Sequence, residues 1–417
     1  MAIRVLGLVH GEFSSHTVRI LEIAKALREL GGYDVSFSGS GKNMRAVERE
    51  GFRVIETKTV PGREILDGIE NELFPTIFHS GNIDELFLEE DALLRREKPD
   101  VILRDSFREL AGIAAKQYGI YDVFVQQANL SHYYHADFKP RNTPRMLRIL
   151  PGERVITIPF TGFAPLVRIG ELVFRRRISR HLHNKVRQLG LSLEKRCYEG
   201  VEADLILFPD SPLLFPFRNM KDRYKFIGPV LVKDSTEIPD WLGRFTSDTR
   251  KRVLTTSGST GMQDRTESFI RAFRGGEFAV AVHNNSRDLP LGFYGGNFNV
   301  GAVLQHSDVF VTHGGIGSTY LGLVLGVPLI SVYTHFEQQT NARQIEKLGA
   351  GVSLSCDDLS AKALKERVEI VLDRRYGERI REVSQILGEE ARKSISLAVK
   401  YLSGGYECFT GGKCGWN

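Results

Sequence analysis

The chain has 417 residues, and its 42% hydrophobic and 26% charged residues are typical of an ordinary globular protein, which excludes a disordered or fibrous chain. At roughly 100–200 residues per domain, this length predicts two compact units. The formal net charge of +5 is too small over this length to favour nucleic acid as a partner.

The cysteines and the N-terminal residues indicate the cellular compartment of the protein. The four cysteines are scattered, except for Cys408 and Cys414 near the C-terminus. The first residues lack the charged and then apolar layout of a secretion signal. We therefore expect a cytoplasmic protein with reduced cysteines, and no metal site from Cys408 and Cys414 alone. Residues 309–336 carry no Lys, Arg, Asp or Glu, but five glycines and Pro328 interrupt them, which predicts a strand, turn, helix and strand rather than a membrane span.

The first half of the chain alternates short apolar runs with helical periodicity, which is the pattern of βαβ units in a parallel sheet. The predicted strands are 3–9, 33–38, 52–56, 99–104, 122–126 and 203–208, and the predicted helices are 15–30, 43–50 and 107–118. The segments 61–90 and 127–165 match no element and are interpreted as loops that shape an acceptor pocket. This pattern predicts a doubly wound domain.

The same alternation restarts after a polar linker near residue 235. The predicted strands are 252–257, 278–283, 308–312, 329–332 and 352–355, and helices over 360–372 and 378–402 close the fold. We predict an α/β protein with two Rossmann-like domains, at 1–235 and 236–402, followed by a loose glycine-rich tail at 403–417.

A basic segment lies in the middle of the chain. Residues 139–187 contain twelve Lys and Arg residues but only two acidic residues, Glu153 and Glu171. Apolar residues interleave with the arginines, which suits an amphipathic helix at an anionic membrane surface. A helix with one solvated face and one face packed in a core suits the pattern equally well. Peripheral attachment to a membrane is therefore a hypothesis.

The strongest chemical signal is the segment 309–319, where a predicted strand runs through a glycine turn into a helix. Gly314 and Gly315 let backbone N–H groups approach an anion closely, and the helix N-terminus adds partial positive charge. This geometry suits a diphosphate. The alternative is a tight strand-to-helix turn without a ligand, because such turns are common.

Further motifs follow this turn in a fixed order. They are Gly326-Val327-Pro328, then Glu337-Gln338 with Asn341-Ala342, then Gly349-Ala350-Gly351. This order and spacing resemble the signature region of nucleotide-sugar glycosyltransferases related to UDP-glycosyltransferases and macrolide glycosyltransferases. The resemblance implies the GT-B fold, in which two Rossmann-like domains face a central cleft and a C-terminal helix packs back toward the first domain. It also implies that the second domain holds the donor and the first holds the acceptor.

The resemblance assigns donor-binding roles residue by residue. The residues placed at the donor diphosphate are Gly258, Ser259, Thr260, His313, Gly314, Gly315, Gly317, Ser318 and Thr319. Glu337 and Gln338 are placed at the sugar hydroxyls, since a carboxylate and an amide can each pair with neighbouring hydroxyls. Phe298 lies about where the family has an aromatic residue that stacks on the base. Leu321 departs from the pattern, because the family has there a glutamate that binds the ribose.

The first half carries the residues that the resemblance assigns to catalysis. His16 opens a predicted helix that Ser14 or Ser15 could cap, and the family has its general base at this spacing. A base is needed because a hydroxyl is a poor nucleophile until it loses its proton. Asp105 follows a buried strand and matches the aspartate that supports this histidine. The alternatives are a capping histidine and a strand-end turn residue.

Together these residues predict an inverting, metal-independent glycosyltransferase that moves a sugar from a nucleotide diphosphate sugar, UDP-linked by resemblance, to a hydroxylated lipid, glycan or small molecule. No cofactor other than the donor is implied, and no Asp-x-Asp or His/Cys cluster has metal spacing. His10, His132 and His135 lie near the same predicted edge and are alternative bases. A non-hydrolysing UDP-sugar 2-epimerase and a non-catalytic nucleotide-sugar-binding partner are the alternative functions.

Overall fold

The computed structural model describes residues 2–65, 80–131, 146–149, 156–159, 179–194, 200–232, 236–258, 264–283, 289–334 and 336–411. The chain forms two compact units. Unit 1 comprises Met1–Pro212, Pro216–Val230 and Lys393–Asn417, and unit 2 comprises Leu213–Phe215 and Leu231–Arg392. The division near residue 230 lies close to the predicted one. The prediction is wrong at the other end, because the residues from Lys393 onward belong to unit 1, although 393–402 were assigned to the second domain and the rest to a separate tail.

Unit 1 is built on a parallel sheet. Its described strands are β1 (Ile3–Leu8), β2 (Tyr33–Gly39), β3 (Arg53–Glu56), β4 (Val101–Arg104), β5 (Tyr121–Val125), β6 (Met146–Ile149), β7 (Ile156–Pro159), β8 (Leu205–Phe208) and β9 (Tyr224–Phe226). Seven of them form one sheet in the order β3-β2-β1-β4-β5-β8-β9, with every pairing parallel. The remaining two, β6 and β7, pair antiparallel with each other.

Helices cover the sheet of unit 1. They include α1 (Ser14–Leu30), α2 (Met44–Arg49), α3 (Ser80–Glu97) and α4 (Glu109–Tyr118). The apolar side of α1, with Ile20 and Leu27, packs into one core cluster, while Leu110 and Ile113 of α4 pack into another. The helix α3 corrects the expectation of a loop over 61–90 from Ser80 onward, while residues 66–79 lie outside the described residues. Its buried residues Phe87, Leu93 and Leu94 show the helical spacing that the sequence reasoning overlooked.

Unit 2 repeats the same plan. Its strands are β10 (Lys251–Thr256), β11 (Phe278–His283), β12 (Phe293–Gly296), β13 (Val309–Thr312), β14 (Leu329–Tyr333) and β15 (Gly351–Ser355). They form one sheet in the order β12-β11-β10-β13-β14-β15, again with every pairing parallel. The helices that follow in chain order include α5 (Leu242–Thr246), α6 (Asp264–Phe273), α7 (Val300–Leu304), α8 (Ile316–Val324), α9 (Phe336–Leu348), α10 (Ala361–Val371) and α11 (Arg374–Phe409).

Each main sheet reverses its strand order once. In unit 1 the reversal lies between β1 and β4, and in unit 2 it lies between β10 and β13. At such a reversal the connections leave on opposite faces of the sheet, so a crevice opens beside the carboxyl ends of the two strands, where ligands bind in open α/β sheets. The topology therefore directs attention to the loops after these four strands.

The last helix, α11, completes the core of unit 1. Ala398 and Leu402 are fully buried in the core cluster that contains the apolar side of α1, and the hydroxyl of Tyr33 donates to Oγ of Ser403 over 2.8 Å. The prediction that a C-terminal helix packs back on the first domain is confirmed. The prediction of a loose tail from residue 403 is wrong as far as Phe409, because Tyr406 packs on the same core and keeps the helix regular.

The remaining expectations concern the fold class, the cysteines, the basic segment and membrane spans. The fold class is confirmed as two parallel-sheet α/β units. Cys408 is disulfide-bonded, which contradicts the expectation of a reduced thiol at that position. Most of the basic segment at 139–187, together with His132 and His135, lies outside the described residues. In the described part of the chain, no helix combines the length and the apolar character needed to cross a membrane.

Replacing Leu402 by alanine should destabilise unit 1. The side chain is fully buried, so its removal leaves a cavity worth about 2–5 kcal/mol, whereas Ile386 on the same helix is 45% exposed. We expect Leu402→Ala to lower the urea midpoint of unfolding followed by circular dichroism, and Ile386→Ala to leave it nearly unchanged. Equal midpoints for the two variants would contradict the packing of α11 on this core.

Candidate active site

The loops after β1 and β4 bring two predicted residues together in unit 1. His16 is the third residue of α1, and Asp105 directly follows β4. The two strands are neighbours in register, with Leu8 opposite Arg104, so both loops begin at the same sheet edge. Nδ1 of His16 lies 3.9 Å from Oδ2 of Asp105. The pair therefore occupies the crevice that the strand reversal creates.

Backbone groups hold the carboxylate of Asp105 in place. Its Oδ2 accepts the N–H of His10 over 2.7 Å, and its Oδ1 accepts the N–H of Phe107, also over 2.7 Å. The side chain is only 2% exposed. Because hydrogen bonds to a carboxylate are among the stronger ones in proteins, these two donors fix both the position and the rotation of the group.

His16 is set up as a neutral imidazole. Its side chain is 12% exposed, and burial lowers its pKa to about 4, against the opposing effect of Asp105 and with added lowering by Arg19 and His10. The expected cap is absent, since Phe13 is the N-cap residue and makes no side-chain hydrogen bond to the helix. The first turn of α1 thus begins without the side-chain cap expected from Ser14 or Ser15.

Aromatic rings surround this histidine. Its ring centroid lies 4.8 Å from that of Phe107 and 5.9 Å from that of Phe13, which stack on each other at 5.1 Å. His10 lies in the same cluster, with Nε2 at 2.6 Å from the carbonyl of Val60. Since a carbonyl can only accept, Nε2 of His10 carries the hydrogen. The backbone N–H of the buried His10 donates to Asp105.

The turn between β13 and α8 has the geometry of an anion site in unit 2. Gly314 has a φ of +82°, a left-handed conformation that favours glycine, and Gly315 is the N-cap of α8 without a side-chain cap. The first N–H groups of a helix have no partner within it, so those of Gly317 and Ser318 suit an anion. Thr319 differs from the expectation, because its N–H bonds the carbonyl of Gly315 and its side chain is fully buried.

Two glycines make room for the ring of His313. A Cβ built on Gly258 would lie 2.1 Å from Cε1 of that ring, and one on Gly315 would lie 2.4 Å from Nε2. Gly258 also has a φ of +69°. The ring is 7% exposed. The structure therefore brings Gly258 and the β13–α8 turn together, as the sequence predicted, while Ser259 and Thr260 lie outside the described residues.

The start of α9 supports the glycine turn. Glu337 is half-buried, whereas Gln338 is 3% exposed and its Oε1 accepts from both N and Oγ1 of Thr334. The amide oxygen of Gln338 is thus engaged with the preceding loop. Asn341 was not among the predicted site residues, but its Nδ2 donates to the carbonyl of Gly314 over 3.0 Å. The Asn-Ala motif carried the signal for this contact.

The expectation for Phe298 is corrected. Its ring is 1% exposed and packs edge-to-face against Trp241 at 5.0 Å and His283 at 5.1 Å. A base-stacking residue must offer an open face, and this ring has none. Trp241 is only partly buried, and its Nε1 donates to the carbonyl of Gly295.

Comparison with known proteins finds similar sequences and similar structures. Residues 282–395 match the family described as erythromycin biosynthesis protein CIII-like, C-terminal domain. A PGL/p-HBAD biosynthesis glycosyltransferase of Mycobacterium tuberculosis is 24% identical over 392 residues, which cover 93% of this chain and 88% of the relative.

Solved structures share the fold over nearly the whole chain. CalG4, the calicheamicin glycosyltransferase, has a TM-score of 0.71 at 17% identity, covering 99% of this chain and 100% of its own. The spinosyn rhamnosyltransferase SpnG, complexed with thymidine diphosphate, has a TM-score of 0.68 at 16% identity, covering 96% and 100%. The protein is a glycosyltransferase with the GT-B fold. More narrowly, it is similar to macrolide-type glycosyltransferases. The residues that match the EryCIII-like domain, 282–395, lie almost wholly in unit 2.

Replacing Gly258 by alanine should disrupt the turn that follows β10. The left-handed φ costs about 1–3 kcal/mol for a residue with a Cβ, and the new Cβ would overlap the ring of His313. We expect thermal unfolding at a clearly lower temperature for Gly258→Ala, and partial recovery when His313→Ala removes the ring. Gly317→Ala is the control, because nothing lies within 4 Å of its added Cβ. A Gly258 variant as stable as the Gly317 variant would contradict this packing.

Proposed function

We propose that this glycosyltransferase is inverting and metal-independent, with His16 as the general base and Asp105 as its support. The observation that carries the proposal is the distance of 3.9 Å between Nδ1 of His16 and the carboxylate of Asp105. Because Nδ1 faces the carboxylate, Nε2 is the ring nitrogen left to accept a proton. The acceptor oxygen attacks the anomeric carbon, the bond to the diphosphate breaks, and the proton passes to Nε2.

The low pKa of His16 has two consequences for this step. A base with a pKa of about 4 is neutral at physiological pH and always ready to accept a proton. It is also weak, so it takes the proton late, when the forming bond has made the hydroxyl acidic. Asp105 then faces the new imidazolium and stabilises it by charge, which is the role of the carboxylate in catalytic triads.

The donor side is proposed to be unit 2. The glycine turn at Gly314 and Gly315 and the first turn of α8 offer backbone N–H groups to the departing diphosphate, a form of stabilisation that needs no metal ion. Glu337, in the first turn of α9, is proposed to pair with the sugar hydroxyls. No cofactor beyond the sugar nucleotide is part of the proposal.

The nucleotide is proposed to be a thymidine diphosphate. The resemblance alone favours uridine, but Leu321 stands where the family has a ribose-binding glutamate. A deoxyribose lacks the 2′-hydroxyl and loses less by this replacement than a ribose does. The spinosyn rhamnosyltransferase of similar fold is described with thymidine diphosphate, which is in keeping with this choice.

The acceptor is proposed to be a hydroxyl on an apolar molecule. Phe107 is partly exposed beside His16, and Phe13 stacks on it, so the surface next to the base is aromatic. Apolar contact there would bury the body of the acceptor and leave its hydroxyl at Nε2 of His16.

Removing the base should greatly slow transfer without affecting donor binding. Replacing a general base costs about 10²–10⁴-fold in kcat, so we expect such a loss in His16→Ala, and a smaller one in Asp105→Asn. Release of nucleoside diphosphate with 4-nitrophenol and 1-octanol as acceptor probes measures kcat. For the wild type, kcat/KM should stay level from pH 8 to about 5 and fall toward pH 4 as His16 gains a proton.

Several outcomes would contradict this assignment. A His16→Ala variant with wild-type turnover would remove the proposed base. Sugar-nucleotide isomerisation without any acceptor would favour the epimerase, and loss of turnover on addition of EDTA would show that a metal ion is needed.

Leu321 offers a direct test of the nucleotide. We expect dTDP-glucose to raise the unfolding temperature more than UDP-glucose does, since at equal concentration the tighter ligand stabilises more. Leu321→Glu adds an acceptor for ribose hydroxyls, worth about 1.5–3 kcal/mol or roughly tenfold or more in affinity for UDP-glucose. Leu321→Met is the apolar control and should keep the wild-type order. If UDP-glucose stabilises the wild type more strongly, the thymidine proposal is wrong.

A further inference from the structure

A buried ion pair lies beside the proposed base in unit 1. Arg108, the N-cap residue of α4, is 2% exposed, and Glu90 of α3 is 6% exposed. The pair is bidentate: Nε of Arg108 donates to Oε1 of Glu90 over 2.5 Å, and Nη2 donates to Oε2 over 2.8 Å. Burying two charges is costly and is often no more stable than apolar packing, so such a pair raises the question of what else it does.

The remaining guanidinium nitrogen of Arg108 reaches the sheet edge. Its Nη1 donates to the carbonyl of Val9 over 3.3 Å and to the carbonyl of Ser38 over 3.1 Å. Val9 immediately follows β1, and Ser38 lies near the end of β2. The guanidinium therefore joins α3 to the carboxyl ends of two adjacent strands.

The contact with Val9 leads directly to Asp105. The carbonyl of Val9 and the N–H of His10 belong to the same planar peptide group, so one cannot turn without the other. Arg108 binds this group at its oxygen, and the carboxylate of Asp105 accepts from it at its nitrogen over 2.7 Å. The N–H of Arg108 also donates to the carbonyl of Asp105 over 3.3 Å, which closes the turn between them. A single peptide group is thus held between the guanidinium of Arg108 and the carboxylate of Asp105.

We propose that Arg108, oriented by Glu90, is a positioning residue for the catalytic pair: through the Val9–His10 peptide it fixes the carboxylate of Asp105 that faces His16. The inference rests on the proposed roles of His16 and Asp105. A guanidinium at the carbonyl end polarises the peptide, which strengthens its N–H as a donor to the carboxylate. The guanidinium of Arg108 donates to Glu90 and to the carbonyls of Val9 and Ser38. Its effect on turnover therefore passes through Asp105.

The chain contains a matched control in the same sheet. Arg104 and Asp122 form a second buried bidentate pair, both 0% exposed, with distances of 2.8 Å and 3.0 Å. The guanidinium of Arg104 stacks over Phe124 at 4.1 Å and packs against Gly112. Replacing either pair by apolar residues removes one buried ion pair, but the Glu90–Arg108 pair is the one whose guanidinium donates to the Val9–His10 peptide.

The experiment compares three full-length variants with the wild type: Glu90→Leu with Arg108→Met, Arg108→Lys, and Asp122→Leu with Arg104→Met. The amide proton of His10 is followed by NMR and hydrogen exchange, which need no ligand. In the Glu90/Arg108 variant we expect its resonance to move upfield, its exchange to accelerate at least about tenfold, and kcat with 4-nitrophenol to fall about 10–100-fold at nearly constant donor KM, since misplaced catalytic groups cost this much. The Asp122/Arg104 variant should leave all of these near wild type.

The Arg108→Lys variant separates charge from geometry. Lysine keeps the positive charge but lacks the planar guanidinium group. We therefore expect a kcat between those of the wild type and the Glu90/Arg108 variant. If the double variant does not fold, Arg108→Lys replaces it in the comparison. An unchanged His10 amide, an unchanged kcat, or equal losses in both double variants would overturn the inference. Failure of the proposed function looks different, because His16→Ala would then keep its turnover whatever Arg108 does.

Discussion

Two backbone N–H groups hold the carboxylate of Asp105, and the chemistry proposed for the first unit depends on these two hydrogen bonds. The donors come from the loops after β1 and β4, so the site exists only because the strand order reverses between these strands. A side chain held in this way keeps a fixed distance to the ring of His16. Burial keeps that ring neutral, and in the proposed mechanism the fixed carboxylate stabilises its protonated form.

The second unit has the same kind of strand reversal but places different groups beside it. Its reversal point also lies beside the first strand of its sheet, but the groups collected there are backbone donors and not side-chain acids. Gly258 and Gly315 are needed because the ring of His313 fills the space that any Cβ would take. Glycine therefore serves here to let a ring and two turns pack closely, as well as to expose N–H groups.

The sequence was informative wherever a pattern had a local cause. Alternating strands and helices predicted most strands of both sheets, and the segment 309–319 itself predicted the glycine turn. The resemblance placed His16 and Asp105 after strands that prove to be neighbours. Phe298 was misjudged because position along the chain does not reveal which face of a ring is covered. The pair of Glu90 and Arg108 was missed because its partners lie in separate elements, and no short-range pattern links a helix residue to the carbonyl groups of two strands.

The last helix determines when unit 1 can complete its core during synthesis. Its N-terminal sheet is made early in synthesis, yet Ala398 and Leu402, which finish its core, are translated only after the whole of unit 2. Until they leave the ribosome, the apolar surface around α1 lacks the cover that α11 provides. The first unit therefore cannot complete its core while the second is still being made, and a chain that stops short of Ala398 would leave that surface open to chaperones and proteases.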